Sequence, residues 1–235
     1  MNVYQLSKRL ERVADYLPSD SCFADIGSDH AYLPCYVCLN DSEAKAIAGE
    51  VNVGPYESAL SEVRNQNLED RIEVRLGDGL EVLEPGEVRQ VVIAGMGGSL
   101  IKNILDRGKE KLKNVDRIIV QPNIGAKFLR EWFIEQKYQL TKEEILEENG
   151  HTYEILIAQP GDPLVCYQKD IFSKQLLFGP HLLKERPEVF RQKWKEEYAK
   201  RQRVLTQINK SKEPHLEKMN EVRTEMEWIE EVLAI

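Results

Sequence analysis

The sequence predicts an α/β fold: a mostly parallel sheet with helices on both faces, closed by an antiparallel hairpin and followed by a helical hairpin. Three observations lead there. Short apolar, strand-like segments alternate with helix-length segments from residue 22 to residue 136, the rhythm of a parallel sheet. Two further strand-like segments flank Asn149-Gly150, a strong hairpin-turn signal. Beyond Pro187 the apolar residues recur at helical spacing over two helix lengths.

Taken in order, Leu6, Leu10, Val13, Ala14 and Leu17 form a helical stripe, with Ser7 as N-cap and Pro18 as stop. Lys8, Arg9 and Arg12 lie off that stripe. Strands are expected at Cys22–Asp25, Lys45–Glu50, Ile72–Leu76, Gln90–Ala94 and Arg117–Gln121, with helices at about Tyr32–Asn40, Tyr56–Gln66, Gly98–Gly108 and Ala126–Gln136. Tyr138–Glu147 and Tyr153–Ala158 make the hairpin. Such a hairpin at the end of a parallel sheet is the habit of Rossmann-like methyltransferase folds, not of NAD dehydrogenases. Gln159-Pro160-Gly161-Asp162-Pro163 breaks the pattern and divides the chain into domains at 1–160 and 161–235. In the second, Phe190, Trp194, Tyr198, Arg201, Leu205 and Ile208 mark one stripe. Leu216, Met219, Val222, Met226, Ile229 and Leu233 mark another, and Lys210-Ser211-Lys212-Glu213-Pro214 is the turn between them. This pattern reads as an antiparallel coiled-coil hairpin.

Composition narrows the function classes. In 235 residues, 42% hydrophobic and 31% charged, no apolar run approaches a membrane span, and the N-terminal residues have no signal-peptide core. The expectation is a cytoplasmic protein with no membrane partner. Four cysteines in a chain this long are no disulfide framework. Cys35 and Cys38 fall three apart within a helix and read as core thiols, so no metal is expected. The net charge is −8, yet Lys169–Lys212 carries 12 Lys/Arg against 5 Asp/Glu. A basic stretch in an acidic chain suits phosphate binding, or is a solvated face whose charges pair with neighbours.

The chemistry concentrates where strands end. Cys22–Asp25 runs into a turn at Gly27, where the missing side chain admits a ligand and Asp25 can orient the turn or accept from an ammonium group. Asp29 and His30 stand where a dinucleotide fingerprint has glycines. Asp29 would repel a pyrophosphate but tolerate a cationic sulfonium, which favours S-adenosylmethionine over NAD as cofactor. Glu50, ending the next strand, is placed to accept from ribose hydroxyls, with Val51 and Asn52 beside an adenine. Asp78, between Gly77 and Gly79, can accept from the adenine amine. Ala94-Gly95-Met96-Gly97-Gly98 reads as a strand entering a glycine-rich turn with room for a base edge. The Asn/Asp-Pro-Pro-aromatic signature of many amino-methylating enzymes is absent from that turn, which argues against methylation of the adenine amine. Gln121 and Asn123 offer two amides to a purine edge, or simply cap a loop.

In this order and spacing, Ala24-Asp25-Ile26-Gly27-Ser28-Asp29-His30-Ala31-Tyr32-Leu33-Pro34, Gly49-Glu50-Val51-Asn52, Gly54-Pro55, Gly77-Asp78-Gly79, Ile93-Ala94-Gly95-Met96-Gly97-Gly98 and Gln121-Pro122-Asn123 resemble the bacterial tRNA (adenine-22-N1)-methyltransferase family. The resemblance covers about residues 1–160 by motif and extends to the helical tail in architecture. It implies methyl transfer from S-adenosylmethionine to N1 of an adenine in the D-arm of tRNA. It places Gly27, Asp29 and His30 in the first turn of the cofactor pocket, with Asp25 in support. Glu50 and Val51 then meet the ribose and adenine, Asp78 and Gly79 the adenine edge, and Ala94, Gly95, Met96 and Gly97 the methyl donor. Asp29, stabilising the charge that develops on the base, and Asn123 are the catalytic candidates. Gln121 and Asn123 would read the amine edge, Arg9 and Arg12 would hold phosphates at the pocket mouth, and the basic residues between Lys184 and Lys212 would grip tRNA farther off. A monomer or weak dimer is expected. The alternatives are a methyltransferase for another RNA, a small molecule or a protein, and a non-catalytic module that binds partners through the coiled coil.

Overall fold

The computed structural model describes residues 2–210 and 216–234. It divides into two compact units, Met1–Tyr167 and Gln168–Ile235. In the first, α1 (Lys8–Ala14) is followed by β1 (Cys22–Ile26), α2 (Tyr32–Asn40), β2 (Lys45–Glu50), α3 (Val53–Asn65) and β3 (Ile72–Leu76). Then come β4 (Gln90–Gly97), α4 (Gly98–Arg107), β5 (Arg117–Ile124), α5 (Ala126–Glu135), β6 (Tyr138–Glu148) and β7 (His151–Pro160). The seven strands lie in the order β3-β2-β1-β4-β5-β7-β6. The first five pair in parallel, and β7 runs antiparallel to both β5 and β6.

The central strands are apolar runs because both sheet faces are covered. One face packs Ile101, Ile104 and Leu105 of α4 and Leu129, Trp132 and Phe133 of α5 against Ala24, Val91, Ile93 and Ile118. The other packs Val13, Leu33, Cys35, Ala59 and Val63 against Phe23, Ala46, Val92 and Ile119. Asn149 and Gly150 adopt φ 53° and 76°, the paired left-handed conformation that a two-residue hairpin turn requires. The strands of that hairpin are longer than the sequence predicts.

Several boundaries move for identifiable reasons. α1 is capped by the Ser7 hydroxyl, which accepts from the Leu10 N–H, but it ends at Ala14 rather than running on to Pro18. β4 and β5 do not stop at Ala94 and Gln121. Pairing continues through Met96 with Pro122 and Gly97 with Ile124, past an irregularity at Gly95. The expected glycine-rich turn is therefore a bulged continuation of the strand, with Gly95 at φ +77°.

The second unit contains α6 (Phe172–Phe178), α7 (Pro180–Glu185), α8 (Glu188–Lys210) and α9 (Leu216–Leu233). Phe178, Phe190 and Trp194 form its aromatic centre. Tyr198 meets Glu230 and Arg201 meets Glu225, so α8 and α9 are antiparallel. The expected turn at Lys210–Pro214 lies, beyond Lys210, outside the described residues. Neither α6 nor α7 is foreseen, because six or seven residues are too few for a helical period to show.

One buried ionic cluster ties α5 to the hairpin. Arg130 is fully buried and donates from Nε to Glu143 (2.7 Å) and from Nη2 to Glu154 (2.6 Å). Removing one member of such a cluster leaves its partners charged and desolvated. Arg130→Met is expected to cost about 3–5 kcal/mol in urea unfolding at pH 7, with part of the loss recovered at acid pH, where protonation neutralises the two glutamates.

Candidate active site

Parallel strands end on the same side of their sheet, so β1 to β5 deliver their C-terminal residues to one edge. In sheet order that edge carries Asp78 just after β3, Glu50 ending β2, Asp25 and Gly27 at β1, Gly95 in β4, and Gln121 and Asn123 in β5. β1 pairs with β2 on one side and β4 on the other, so the chain connections diverge there, where α/β sheets open a crevice for ligands. A cavity of about 230 Å³ lies at this point, lined by Arg9, Asp25, Gly27, Asp29, Ala94, Gly95 and Met96 among the predicted residues. Leu10 and Ser28 also line it, and neither is foreseen as a site residue. The Asp25-to-Ser28 spacing was the available signal, since Ser28 Oγ donates to the Asp25 carboxylate at 2.6 Å.

The loop from β1 to α2 has an unusual backbone. Gly27 (φ +73°) is followed by Asp29, His30 and Ala31 at φ +45°, +69° and +54°. Left-handed backbone at a residue with a side chain costs of order 1 kcal/mol or more, so the loop must be held. Gly27 and Ser28 donate their N–H groups to Gly49 O at 2.9 and 3.3 Å, and Asp29 donates its N–H to the Glu50 carboxylate. A Cβ at Gly27 would lie 2.2 Å from Met96 Cε. The absence of a side chain is what lets the two walls approach.

Charge is unevenly spread around the cavity. Asp25 and Glu50 are 4% and 5% exposed. Burial pushes the Asp25 carboxyl up to about 7, Ser28 working against the shift, and burial also raises Glu50. The Asp29 carboxylate is three-quarters exposed and 3.5 Å from His30 Nε2. Arg9, half-buried, is the cation among the lining residues, and burial lowers its pKa. A buried carboxylate at an open cavity, Asp25, with Glu50 close behind it on Asp29 N, suits a ligand carrying positive charge, and the glycine cradle suits close approach of its chain. These residues fit S-adenosylmethionine.

Gln121 and Asn123 are not among the lining residues but lie behind two of them: Gln121 Oε1 accepts from Arg9 Nη1 and from Gly95 N (3.0 Å), while Gln121 Nε2 donates to Asn123 Oδ1 (3.4 Å). Asn123 Nδ2 donates to Gly95 O (2.8 Å). The remaining predicted residues are placed differently. Arg12 is not in the cavity: it forks onto Glu144 (2.7 and 2.9 Å) and reaches Asp15, tying α1 to β6. Its hydrogen bonds are therefore engaged within the protein. Asp78 forms a two-pronged pair with Arg107 (2.9 and 3.0 Å), a partner that the sequence pattern does not reveal. His30 stacks on Tyr32 with ring centres 5.2 Å apart. Val51 is exposed at the end of β2, and Gly79 is buried, where a Cβ would lie 2.9 Å from Ile104. A Cβ on Gly97 would meet nothing within 4 Å. Cys35 and Cys38 are buried, their thiols pushed by burial up to about 12 and 11. No group of three His, Cys, Asp or Glu residues placed to hold a metal occurs among the described residues.

Comparison with known proteins gives a consistent picture. The family model for TrmK, tRNA (adenine(22)-N(1))-methyltransferase, matches residues 23–231. The tRNA (adenine(22)-N(1))-methyltransferase of Bacillus subtilis strain 168 is 46% identical over 235 residues, covering 99% of each chain. The crystal structure of the B. subtilis enzyme superposes with a TM-score of 0.92 at 45% identity, over 98% of this chain and 99% of that one. A Streptococcus pneumoniae protein solved in complex with S-adenosyl-L-methionine gives a TM-score of 0.86 at 40% identity, over 97% of this chain and all of that one. Mycoplasma capricolum TrmK, solved with S-adenosyl-homocysteine, gives 0.82 at 26%, over 97% and 98%.

The Asp25 carboxyl yields a prediction with a defined sign. Its folded pKa of about 7 lies above its ordinary value of 3.8, so between these values the folded protein holds a proton that the unfolded chain releases. The stability contributed by this group is full below about pH 4 and is lost as pH rises to about 7. Asp25→Asn is therefore expected to raise stability at pH 8 by on the order of 2 kcal/mol, read from urea unfolding. The same variant should lose affinity for S-adenosylmethionine. The unaltered protein should bind it about tenfold more weakly at pH 6 than at pH 8 by calorimetry, because the carboxylate must be ionised.

Proposed function

The chain belongs to the tRNA (adenine(22)-N(1))-methyltransferase family, and from that premise we propose which of its residues carry the reaction. It methylates N1 of adenine 22 in tRNA, using S-adenosylmethionine as donor. When bound, S-adenosylmethionine supplies a methyl group on a positively charged sulfur. The observation that supports the residue assignments best is a cavity lined by the buried Asp25 and the Gly27 turn, with Glu50 bonded to its lining residue Asp29 and the amides of Gln121 and Asn123 bonded to its lining residue Gly95.

Asp25 faces the positive end of the donor, and Gly27 lets the backbone close on it. Glu50 accepts from the ribose while its other oxygen keeps Asp29 and the left-handed loop in place. Val51 and Gly79 border the adenine of the donor. Asp78 accepts from that adenine's amine, since a carboxylate paired with Arg107 keeps lone pairs to spare. His30 holds its side of the loop through Tyr32. Ala94, Gly95, Met96 and Gly97 form the floor beside the methyl group. The methyl acceptor is an unpaired adenine, already nucleophilic at N1, so the protein has to expose, align and dry it. Asn123 accepts from the amine of that adenine. Asp29, at the rim, offsets the positive charge the base gains. Arg12 serves α1 rather than RNA.

The exposed cations Lys184, Lys195 and Arg203 of the helical unit bind tRNA phosphates. Lys200 and Arg201, by contrast, are engaged by Glu197. No described helix is long and apolar enough to cross a membrane, and a tRNA-modifying enzyme belongs in the cytoplasm.

The test is methyl transfer from labelled S-adenosylmethionine to unmodified tRNA, with nucleosides identified after digestion. The expected product is 1-methyladenosine, absent when position 22 carries guanine. Transfer to a guanine-22 tRNA would sink the assignment of the target. Asp29→Ala should lower kcat about tenfold at saturating S-adenosylmethionine, a loss additional to any change in affinity for the donor, whose pocket Asp29 also lines. Replacing Lys184, Lys195 and Arg203 together by alanine should weaken tRNA binding and flatten its salt dependence, by about 0.7–0.9 in log–log slope for each phosphate no longer neutralised. An unchanged slope would remove the helical unit from the interface.

A further inference from the structure

We propose that Arg9 is a positioning residue: through Gln121 it fixes which end of the Asn123 amide faces the methyl-accepting base. This inference rests on the assignment of Asn123 to the adenine edge. The argument is one of hydrogen-bond polarity. A guanidinium can only donate, and so can a backbone N–H. Arg9 Nη1 and Gly95 N both point at one atom of Gln121, which must therefore be its oxygen. The amide nitrogen is then directed to Asn123, whose oxygen receives it. The Asn123 nitrogen turns in consequence to the Gly95 carbonyl. The chain of bonds closes on both polar groups of a single left-handed glycine, and Gln121 is fully buried. Reversing either amide would set donor against donor, so the network has one self-consistent orientation.

That orientation matters for the reaction. The adenine edge offers an amine, which donates, and N1, which accepts. The N1 lone pair becomes the new N–C bond, while the sulfur keeps the electron pair of the broken S–C bond. An amide oxygen toward the amine holds the base and leaves N1 free. An amide nitrogen in its place would donate to N1 and occupy the lone pair that has to react. Asn123 is exposed; beyond these two bonds its oxygen keeps one lone pair and its nitrogen one N–H, so what the network sets is the side on which each of them lies. Arg9 is itself fixed: its guanidinium lies 5.3 Å from the centre of the Tyr153 ring, and α1 is anchored by the Ser7 cap and the Arg12–Glu144 fork.

Gln121→Glu changes the polarity of the relay at its centre, and the added charge lies against the Arg9 guanidinium. It keeps an oxygen toward Arg9 and Gly95 and replaces only the nitrogen that faces Asn123, which must then turn its own nitrogen inward and its oxygen against the Gly95 carbonyl. Arg9→Met removes the first donor, and Arg9→Lys keeps one. Single-turnover methylation of unmodified tRNA at saturating S-adenosylmethionine is measured for all three and for Asn123→Ala, together with calorimetric S-adenosylmethionine affinity and Tm. Gln121→Glu and Arg9→Met are expected to slow the reaction about a hundredfold, the scale for losing one well-placed hydrogen-bonding group at a reacting site. KM for tRNA and affinity for S-adenosylmethionine should stay within about threefold of the parent. Arg9→Lys should restore at least about a tenth of the parent rate, since its ammonium still donates. A lowered Tm with an unchanged rate would make Arg9 merely structural and overturn the proposal. A raised KM at unchanged rate would overturn it in favour of a phosphate-binding role. Should Arg9→Met not fold, the near-isosteric Gln121→Glu decides alone. Asn123→Ala at full rate would defeat the underlying assignment of Asn123. Asn123→Ala impaired beside a normal Gln121→Glu would defeat the relay and leave that assignment standing.

Discussion

Everything at the site depends on one geometric constraint: strands that run parallel must all finish on the same edge of their sheet. That constraint gathers Asp78, Glu50, Asp25, Gly95 and Gln121 into a row although they come from five separate segments of chain. The divergence of connections between β1 and β4 then splits the row in two. The carboxylates come from β1 and β2 on one side of it and the amides from β5 on the other. Chemistry differs across the gap because the segments that build each side were free to differ.

The site is also where the fold departs most from its own preferences. Asp25 and Glu50 are ionisable groups in a low-dielectric position, where burial disfavours their charged forms, and three consecutive residues with side chains hold left-handed backbone. Neither feature stabilises the free protein. Both become useful when a cationic ligand arrives, which is the usual direction of the trade between stability and function. The surrounding structure compensates through the covered sheet and through the anchoring of α1 on β6 by Arg12 and Tyr16, both bound to Glu144.

Much of this was legible in the sequence where local pattern and tertiary demand agree. β2 and β3 fall at the predicted residues because each is a short apolar run bounded by polar or glycine signals. The hairpin follows from Asn149-Gly150, and the residues around Gly27 and Gly95 reach the cavity as the strand ends imply. What stayed hidden depends on partners distant in sequence. β4 and β5 extend past Gly95 and Gln121 because side-chain amides 26 and 28 residues away clamp the backbone of Gly95. Arg12 looks like a free surface cation until Glu144 is seen beside it, 132 residues on. The Asp78–Arg107 pair and the Arg130 cluster are of the same kind. Periodicity records which face is buried; it carries no information about which charges meet.

The hydrogen bond from Asp29 to Glu50 couples the ligand loop to the register of the sheet. The restraint on the left-handed loop sits at the far end of the neighbouring strand, 21 residues later. Gly49 O and Glu50, the acceptors that hold the loop, both belong to β2, so its backbone cost is offset only where β2 lies beside β1. The ligand crevice is therefore coupled in shape to the pairing of β1 with β2 and is not a local property of the loop. Its shape acts as a proofreading mark for the sheet: a chain with β1 and β2 out of register would have no Glu50 under Asp29, and so no site.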